Sequence, residues 1–390
     1  MKIGIQTAGV LEAKSVETDI AMLKKIGIET VELELNKEHL SKNYYQSLKN
    51  ALELQRITIS QVHMPALPEV SLGGEGTEKM LHIMQECIEL CSWLGCPYFI
   101  VHPFSVARNY TDRRIGKEQE KNINQDFFKS LISFAKKYQV MICLTNELDN
   151  VNGHLCMGCC STVQEVKEYI DTLNAIAGEE CFGFCLHMGR ALLLSTDIRE
   201  MLLMLNNRVK TVQLCENDGI RDMAMPPFTS YTVAGQKYWD GLIRGLQKIG
   251  YEGDLIVTVR GFIGGIPSTL KWDTIQWLQK ILSHIREKVD FVNVLQSDKK
   301  LYLFGSGNGF DNFMKYYGNV CEPVAILDNN QAKWGTRKNG LEICSPQILL
   351  QENLERIQIV ICNIFFLEIE EQLRKMGIEN ICRYEELQAF

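Results

Sequence analysis

Residues 20–35 read IAMLKKIGIETVELEL, and this stretch contains the repeating unit of most of the chain. Residues 20–26 have the apolar spacing of an amphipathic helix, and Gly27 stands where such a helix ends. Residues 29–35 then form a short run rich in apolar and β-branched side chains, which is typical of a buried strand. The stretch therefore predicts a helix followed directly by a strand.

The same alternation runs from residue 1 to about residue 288. Strand candidates occupy residues 2–7, 29–35, 57–63, 97–102, 139–146, 182–187, 210–215 and 254–259. Because strands alternate with segments long enough for crossover helices, the pattern predicts a parallel α/β sheet with right-handed connections. Eight such units in a segment of this length predict a closed (β/α)8 barrel over residues 1–290. A doubly wound open sheet is the alternative, and it is disfavoured because no glycine-rich phosphate turn follows the first strand.

A second, smaller unit is predicted at the C-terminal end of the sequence. Residues 291–299 include a polar segment that we interpret as a linker, and residues 300–390 repeat the strand–helix pattern on a smaller scale. The strand candidates there are residues 301–304, 324–327 and 357–362. We therefore predict a small Rossmann-like α/β domain after the barrel.

A glycine turn follows the first strand of this second unit. Gly305, Gly307 and Gly309 would let a phosphate approach the start of a helix, and Asp328 lies at a spacing typical of a ribose contact. These four residues are our candidate cofactor-binding residues. Phe310 stands where a dinucleotide fingerprint has its third glycine. A nucleotide, a nucleotide sugar, a CoA-like ligand and a purely structural domain therefore remain alternatives.

The composition limits the classes of function. The chain has 390 residues, 46% hydrophobic and 23% charged, and a formal net charge of -7. An acidic chain is not the expected partner of a nucleic acid. No apolar run reaches the length of a membrane span, and the N-terminus lacks the apolar region of a secretory signal. We therefore expect a cytoplasmic protein with neither nucleic acid nor membrane as a partner.

The 14 cysteines do not have the pattern of a disulfide framework. Cys87 and Cys91 are spaced for one face of a helix, and Cys143, Cys185 and Cys215 lie in apolar strand-like runs. Residues of this kind are typical of buried thiols in a reducing compartment.

One cysteine group after the fifth strand has a different pattern. His154, Cys156, Cys159 and Cys160 combine a histidine with a Cys-x-x-Cys spacing, which is found in zinc and redox sites. A second Cys-x-x-Cys, which a standard structural zinc site requires, is absent from the sequence. Metal binding and simple loop thiols are both open interpretations.

Residues 1–288 resemble the xylose-isomerase-like superfamily of sugar and sugar phosphate isomerases and epimerases. The segments that carry the resemblance lie at strand ends: GIETVEL at 27–33, QVHMP at 61–65, IVHP at 100–103, GFCLHMGR at 183–190 and IGYEGDL at 249–255. The resemblance implies a TIM barrel whose active site lies at the C-terminal ends of the strands. It also implies a small sugar or sugar phosphate as the ligand.

The metal ligands of that family do not carry over to this sequence. The family holds a divalent metal through Glu, Asp, His and Glu at four strand ends. The corresponding residues here are Thr145 or Glu147, His187, Gln213, and Thr258 or Arg260, and Arg190 replaces a further histidine. Threonine and glutamine are poor ligands and arginine has no lone pair to donate. We therefore expect no metal of the family type and assign no cofactor to the barrel.

The strand ends nevertheless carry residues suited to proton transfer beside a carbonyl, which requires a base and a donor for the developing oxyanion. We predict Glu147, His187 and Glu216 as catalytic residues and His63, His102, Arg190, Gln213 and Arg260 as substrate-binding residues. Each of these residues also has a structural alternative. In that alternative the histidines cap strands, the carboxylates are solvated, and Arg260 forms an ion pair with a protein carboxylate.

The function has an alternative as well. In place of a metal-independent isomerase or epimerase, the alternative is a non-catalytic protein that presents a sugar or nucleotide sugar to a partner enzyme.

Overall fold

The computed structural model describes residues 1–12, 14–66, 75–104, 117–151, 153–229 and 233–384. The chain divides into two units, Met1–Glu287 and Lys288–Phe390, and each is described by itself. Helix Lys271–Leu295 spans the division, so the first part of the segment that we interpret as a linker is helical. Within these described ranges, no helix is both long and apolar enough to cross a membrane.

The first unit alternates strands and helices as predicted. Its elements are β1 Ile3–Gln6, α1 Val16–Ile26, β2 Thr30–Glu34, α2 Lys42–Gln55, β3 Thr58–His63, α3 Glu75–Trp93, β4 Tyr98–Val101, α4 Lys117–Lys129, α5 Ile132–Tyr138, β5 Met141–Thr145, β6 Leu148–Val151, β7 His154–Met157, α6 Val163–Ala177, β8 Phe182–His187, α7 Met188–Leu193, α8 Ile198–Leu205, β9 Val209–Leu214, α9 Val233–Lys248, β10 Leu255–Val257, α10 Arg260–Gly265 and α11 Lys271–Leu295.

Eight of these strands close into a parallel barrel in the order β1-β10-β9-β8-β5-β4-β3-β2. Gly4 of β1 closes the sheet, since it pairs with Ile256 of β10 on one side and with Thr30 of β2 on the other. All eight predicted strand positions are occupied by the barrel strands. The prediction of a (β/α)8 barrel is therefore confirmed.

The junction between α1 and β2 shows how the local sequence produces this pattern. Ile20 and Leu23 on α1 are buried, and the helix ends at Gly27, whose φ of +98° is in the left-handed region. The backbone N–H of Gly27 donates to the last turn of the helix, which is the usual arrangement at a glycine C-cap. The chain then enters β2, whose residues Thr30–Leu33 are buried on both faces because helices and the barrel interior cover a parallel strand.

An antiparallel hairpin, β6–β7, follows β5 and was not predicted from the sequence. It leaves the barrel at its C-terminal end, immediately after Thr145. Ile100, Cys143 and Cys185, on the neighbouring strands β4, β5 and β8, pack together in a small apolar cluster. All 14 cysteines are free in the structure, and 11 of them are buried.

The second unit is built on a six-stranded mixed sheet in the order β13-β14-β12-β11-β15-β16. Its elements are β11 Lys300–Phe304, α12 Asn308–Tyr317, β12 Ala325–Leu327, β13 Arg337–Lys338, β14 Leu341–Cys344, β15 Ile357–Ile361, α13 Phe366–Lys375 and β16 Ile381–Arg383. Only the pairing of β13 with β14 is antiparallel. The three strands that we predict here are present, whereas β13, β14 and β16 were not predicted. The Rossmann-like assignment is not confirmed, and the last six residues of the predicted domain lie outside the described residues.

Candidate functional site

Two histidines meet at the C-terminal ends of the adjacent strands β3 and β4. Nε2 of His63 lies 2.8 Å from Nε2 of His102, and Nδ1 of His63 lies 2.8 Å from the carbonyl oxygen of Met64. Because a carbonyl only accepts, Nδ1 of His63 carries the ring proton, and Nε2 of His63 accepts a hydrogen bond from the Nε2–H of His102. Burial, together with the positive charges of His102 and Arg190, lowers the pKa of His63 to about 3. His63 is therefore a neutral imidazole with a defined tautomer.

The next contact in this chain is the carboxylate of Glu147, two residues beyond the end of β5. Its Oε1 contacts Nδ1 of His102 and accepts a hydrogen bond of 2.5 Å from Nη1 of Arg190. The side chains of Glu147 and Arg190 are only 14% and 17% exposed, so this ion pair is partly desolvated. Burial raises the pKa of Glu147, but His102 and Arg190 outweigh it and the net pKa lies below its usual value. Glu147 is therefore held as a carboxylate.

His187 ends β8 and caps the short helix α7. Its Nδ1 accepts a hydrogen bond from the backbone N–H of Arg190, which leaves the proton of a neutral ring on Nε2. Burial and the charge of Arg190 hold the pKa of His187 well below its usual value. His187 is thus a neutral donor, and Asn146 fixes its backbone through hydrogen bonds to both N–H and C=O.

A buried glutamate that is not among the predicted site residues lies in the barrel interior. Glu32 of β2 is fully buried and accepts hydrogen bonds from the amides of Gln6, Gln61 and Gln213. Burial raises the pKa of Glu32, and the three amide donors offset only part of this effect. The signal in the sequence was a glutamate between Val31 and Leu33 in an apolar strand, since an acidic side chain is rarely buried without specific partners.

The hydrogen bonds of Glu216 and Arg260 are made to residues outside the group of five formed by the three histidines, Glu147 and Arg190. The carboxylate of Glu216 accepts a hydrogen bond of 2.7 Å from the backbone of Thr229 and one of 3.0 Å from Nε1 of Trp239, a buried residue of α9. Arg260 is exposed and its Nη1 lies 3.0 Å from both carboxylate oxygens of Glu34. The structure therefore brings together His63, His102, Glu147, His187 and Arg190, while Gln213 contacts Glu32 and the other two residues lie in separate contacts.

The residues at the four family ligand positions do not fit a divalent metal. Thr145, His187, Gln213 and Thr258 offer no carboxylate, and Nδ1 of His187 is already used as an acceptor. The nearby carboxylate of Glu147 is neutralised by Arg190. Across the described ranges, no group of three or more His, Cys, Asp or Glu is arranged to hold a metal ion. We therefore derive no chemical step through a metal at these positions.

The cysteine group beside the hairpin does not converge on one point. His154 and Cys156 lie on β7, and Sγ of Cys156 contacts the carbonyl oxygen of Asp149. Cys159 and Cys160 are buried, and burial raises the pKa of Cys159 above its usual value. These thiols pack as small apolar side chains, and a metal role stays a prediction.

The glycine turn of the second unit contains a closed polar cluster. Gly305 has a φ of +106°, and Gly307 precedes the first residue of α12. The carboxylate of Asp328 accepts hydrogen bonds from Oγ of Ser306, at 2.5 Å, and from Nζ of Lys333, at 2.9 Å. A cofactor role of Gly305, Gly307, Gly309 and Asp328 stays a prediction, because Ser306 and Lys333 of the same chain already bind the carboxylate that would contact a ribose.

A cavity of about 660 Å³ lies at the opposite, N-terminal end of the barrel, where Lys2, Thr58, Lys210 and Asp254 line it. It contains none of the predicted site residues. Since the active sites of such barrels lie at the C-terminal ends of the strands, we place the candidate site around Glu147 and not in this cavity.

Comparison with known proteins gives the same fold. Residues 20–281 match the xylose isomerase-like TIM barrel family. A D-tagatose 3-epimerase-like protein is 17% identical, with a TM-score of 0.58, over 74% of this chain and 100% of its own. D-psicose 3-epimerase from Clostridium cellulolyticum H10 is 16% identical, with a TM-score of 0.57, over 73% and 99%. A 3-keto-D-glucoside 4-epimerase from E. coli is 14% identical, with a TM-score of 0.54, over 72% and 99%. No curated protein sequence matches the chain significantly.

Proposed function

We propose that this chain, which belongs to the xylose isomerase-like TIM-barrel family, is an isomerase or epimerase of a small sugar or polyol derivative that works by proton transfer without the family metal. The observation that carries the proposal is the continuous polar chain His63–His102–Glu147–Arg190 at the strand ends. Solved structures of similar fold include epimerases of ketohexoses and of a keto-glucoside, which supports a sugar as the substrate class.

In this proposal Glu147 is the base and His102 its proton partner. His102 and Arg190 both contact Oε1 of Glu147, and among the described residues no hydrogen bond is made to Oε2. Oε2 can therefore take a proton from a carbon beside a carbonyl. His102 contacts the same carboxylate and donates to His63, so it holds the base in place while the proton taken from the substrate stays on Oε2 of Glu147 until it is returned to carbon. The positive neighbours keep Glu147 ionised before the reaction.

His187 would stabilise the oxygen on which charge develops, and Arg190 would hold His187 in place. Nε2 of His187 carries the ring proton, and a neutral imidazole donor does not lose its proton to the substrate before the reaction. Arg190 contacts both His187 and Glu147, so one residue fixes the donor and the base. Preorganised donors of this kind contribute more in a partly dry site than in water.

A second candidate is the non-catalytic sugar-binding protein. The observation that favours it is that Glu147 is already neutralised by Arg190 and that the carboxylate of Glu216 is bound by Thr229 and Trp239. A carboxylate held as an ion pair is a weak base. This candidate predicts ligand binding without exchange of a substrate proton.

Solvent proton exchange distinguishes the two candidates. The protein, treated with a chelator, is incubated in D2O with a panel of ketohexoses and keto-glycosides, and loss of the C–H signal beside the carbonyl is followed by ¹H NMR. We expect exchange with at least one sugar, lowered by about 100-fold or more in Glu147→Gln. Glu252→Gln, at the opposite end of the barrel, is the matched control and retains the wild-type rate. Binding of a sugar with no exchange supports the second candidate, and full exchange in Glu147→Gln contradicts the assigned base.

Two further parts of the proposal concern the whole chain. We infer a cytoplasmic location, since 14 free cysteines suit a reducing compartment. We also keep a nucleotide or nucleotide sugar as the proposed ligand of the second unit, supported by the turn at Gly305 and Gly307 before α12.

A further inference from the structure

The guanidinium of Arg190 contacts two carboxylates at two different depths. Nη1 binds the inner carboxylate, Glu147, at 2.5 Å, and Nε lies 3.3 Å from the outer carboxylate, Oδ2 of Asp222. The side chain of Asp222 is 39% exposed, whereas that of Glu147 is 14% exposed. The inner contact is therefore part of the buried site, and the outer contact faces solvent.

The outer contact uses only one of the two N–H groups on its edge of the guanidinium. A carboxylate or phosphate normally takes two parallel N–H groups from one edge of a guanidinium. Here Asp222 takes Nε alone, and among the described residues no hydrogen bond is made by Nη2 of Arg190. The edge formed by Nε and Nη2 is thus half occupied, by a carboxylate that is itself 39% exposed.

Asp222 belongs to a loop that is fixed at both ends and exposed between them. Its two ends are joined because Glu216 pairs with Met225 in an isolated antiparallel bridge, and the carboxylate of Glu216 also accepts a hydrogen bond from the backbone N–H of Thr229. Between these anchors Ile220 is 74% exposed. A half-exposed ion pair on such a segment contributes little free energy, so a ligand anion can replace it at small cost.

We propose that the Nε–Nη2 edge of Arg190 is an anion subsite and that Asp222 is its built-in competitor, so that the preferred ligand is a sugar derivative bearing a carboxylate or a phosphate. This inference rests on the proposed function in one respect, namely that the mouth of the barrel is the ligand site. When a ligand anion replaces Asp222, Arg190 exchanges one anionic partner for another and is not left as an unpaired cation. A neutral sugar gains nothing from this replacement and leaves Asp222 in place.

Binding measurements on the full chain test this inference independently of catalysis. The probes are D-glucuronate, D-glucose 6-phosphate, inorganic phosphate and, as the neutral reference, D-glucose, each titrated calorimetrically. In Asp222→Asn we expect the affinity for at least one anionic sugar to rise by about threefold to tenfold, with that for D-glucose unchanged. The relative gain for glucuronate and for glucose 6-phosphate tells whether the subsite takes a carboxylate or a phosphate, and a gain for inorganic phosphate alone places the specificity in the anion and not in the sugar.

Asp218→Asn is the matched control, since it removes the same charge from the same loop while Asp218 pairs with Arg221 instead of Arg190. Equal gains in both variants would show a general charge effect and overturn the subsite. The same conclusion follows if no anionic probe binds to Asp222→Asn, or if the substitution weakens anion binding. Since none of these readouts needs turnover, a negative proton-exchange result leaves this test intact, and the reverse also holds.

Discussion

The backbone N–H of Arg190 donates to Nδ1 of His187, 3.3 Å away, while the side chain of the same arginine binds Glu147. One residue in the first turn of α7 therefore fixes the tautomer of a histidine and neutralises a carboxylate that follows a different strand, β5. The arrangement depends on a helix that begins directly after β8, because the spacing of three residues places the donor over the ring.

The first prediction concerns the buried ion pair. Arg190→Met should lower the free energy of unfolding by about 2 kcal/mol, since it leaves a partly buried carboxylate whose remaining ion-pair partner among the described residues is His102. Glu147→Gln in the same background should recover part of this loss, and urea denaturation of both single variants and the double variant measures the coupling.

A surface pair provides the reference for this cycle. Arg208 and Asp171 form an ion pair whose side chains are 27% and 49% exposed. Arg208→Met should cost less than about 1 kcal/mol. Equal losses at both sites, or no recovery in the double variant, would show that the Arg190–Glu147 pair is not an energetic unit.

The sequence was sufficient to predict the barrel because each strand carries its own local signal. Apolar runs bounded by helices repeat eight times, and the strand-end rule then places His63, His102, Glu147 and Arg190 at one end of the sheet. The hairpin β6–β7 was missed because LDNV and HLCM lack an apolar alternation. Short strands such as β13, Arg337–Lys338, carry even less signal.

The partners of the site residues could not be predicted in this way. Glu216 stands at a strand end like Glu147, yet its carboxylate is bound by Trp239, which is far away in sequence. Glu32 itself carries a local signal in its apolar strand, but its partners Gln6, Gln61 and Gln213 lie on three other strands and become its neighbours only when the barrel closes.

The second prediction is a loss of stability in mild acid. His63 titrates near about 6.5 in an unfolded chain, whereas its folded pKa is about 3. Between these values the unfolded state binds a proton that the folded state does not, so the free energy of unfolding falls as the pH decreases from about 6.5. One such group contributes a slope of up to about 1.4 kcal/mol per pH unit.

Denaturation between pH 7 and pH 5 measures this slope. We expect the unfolding free energy of His63→Gln to change less steeply with pH than that of the wild type. His187 should account for part of the pH dependence that is left, since its pKa is also lowered. His82, whose side chain is 73% exposed, is the control, and His82→Gln should leave the slope unchanged. An unchanged slope in His63→Gln would contradict the neutral, buried state of this residue.

The third prediction has the opposite sign and concerns Glu32. Its pKa is raised in the folded state, so the folded chain retains a proton above about pH 4.3, where the unfolded chain loses it. The stabilisation from this proton is complete below that pH and is lost as the pH rises through the folded pKa. As the pH increases, the wild type should therefore lose stability relative to Glu32→Gln, which has no titrating group at this position.

The substitution is close in shape, and its amide can replace the contacts with Gln6, Gln61 and Gln213 after local rotation. Glu38→Gln, in an exposed turn, serves as the control and should show no such trend. A pH-independent difference between Glu32→Gln and the wild type would mean that Glu32 titrates normally in the folded chain.

The last prediction separates Glu216 from the catalytic group in which the sequence placed it. Its carboxylate joins the loop at Thr229 to Trp239 on α9, so its removal leaves a buried indole N–H and a backbone N–H without an acceptor. Each buried donor left unsatisfied costs about 1–3 kcal/mol, and Glu216→Ala should therefore destabilise the chain by roughly 2–4 kcal/mol. Glu216→Gln retains a carbonyl oxygen for one of the two donors and should cost less.

At a temperature where both variants are folded, proton exchange on the sugar that the wild type accepts should stay within about threefold of the wild-type rate, in contrast to Glu147→Gln. A Glu216→Gln variant that is as stable as the wild type but has lost proton exchange would return Glu216 to the catalytic group, because its carboxylate would then be needed for the chemistry and not for the stability of the fold.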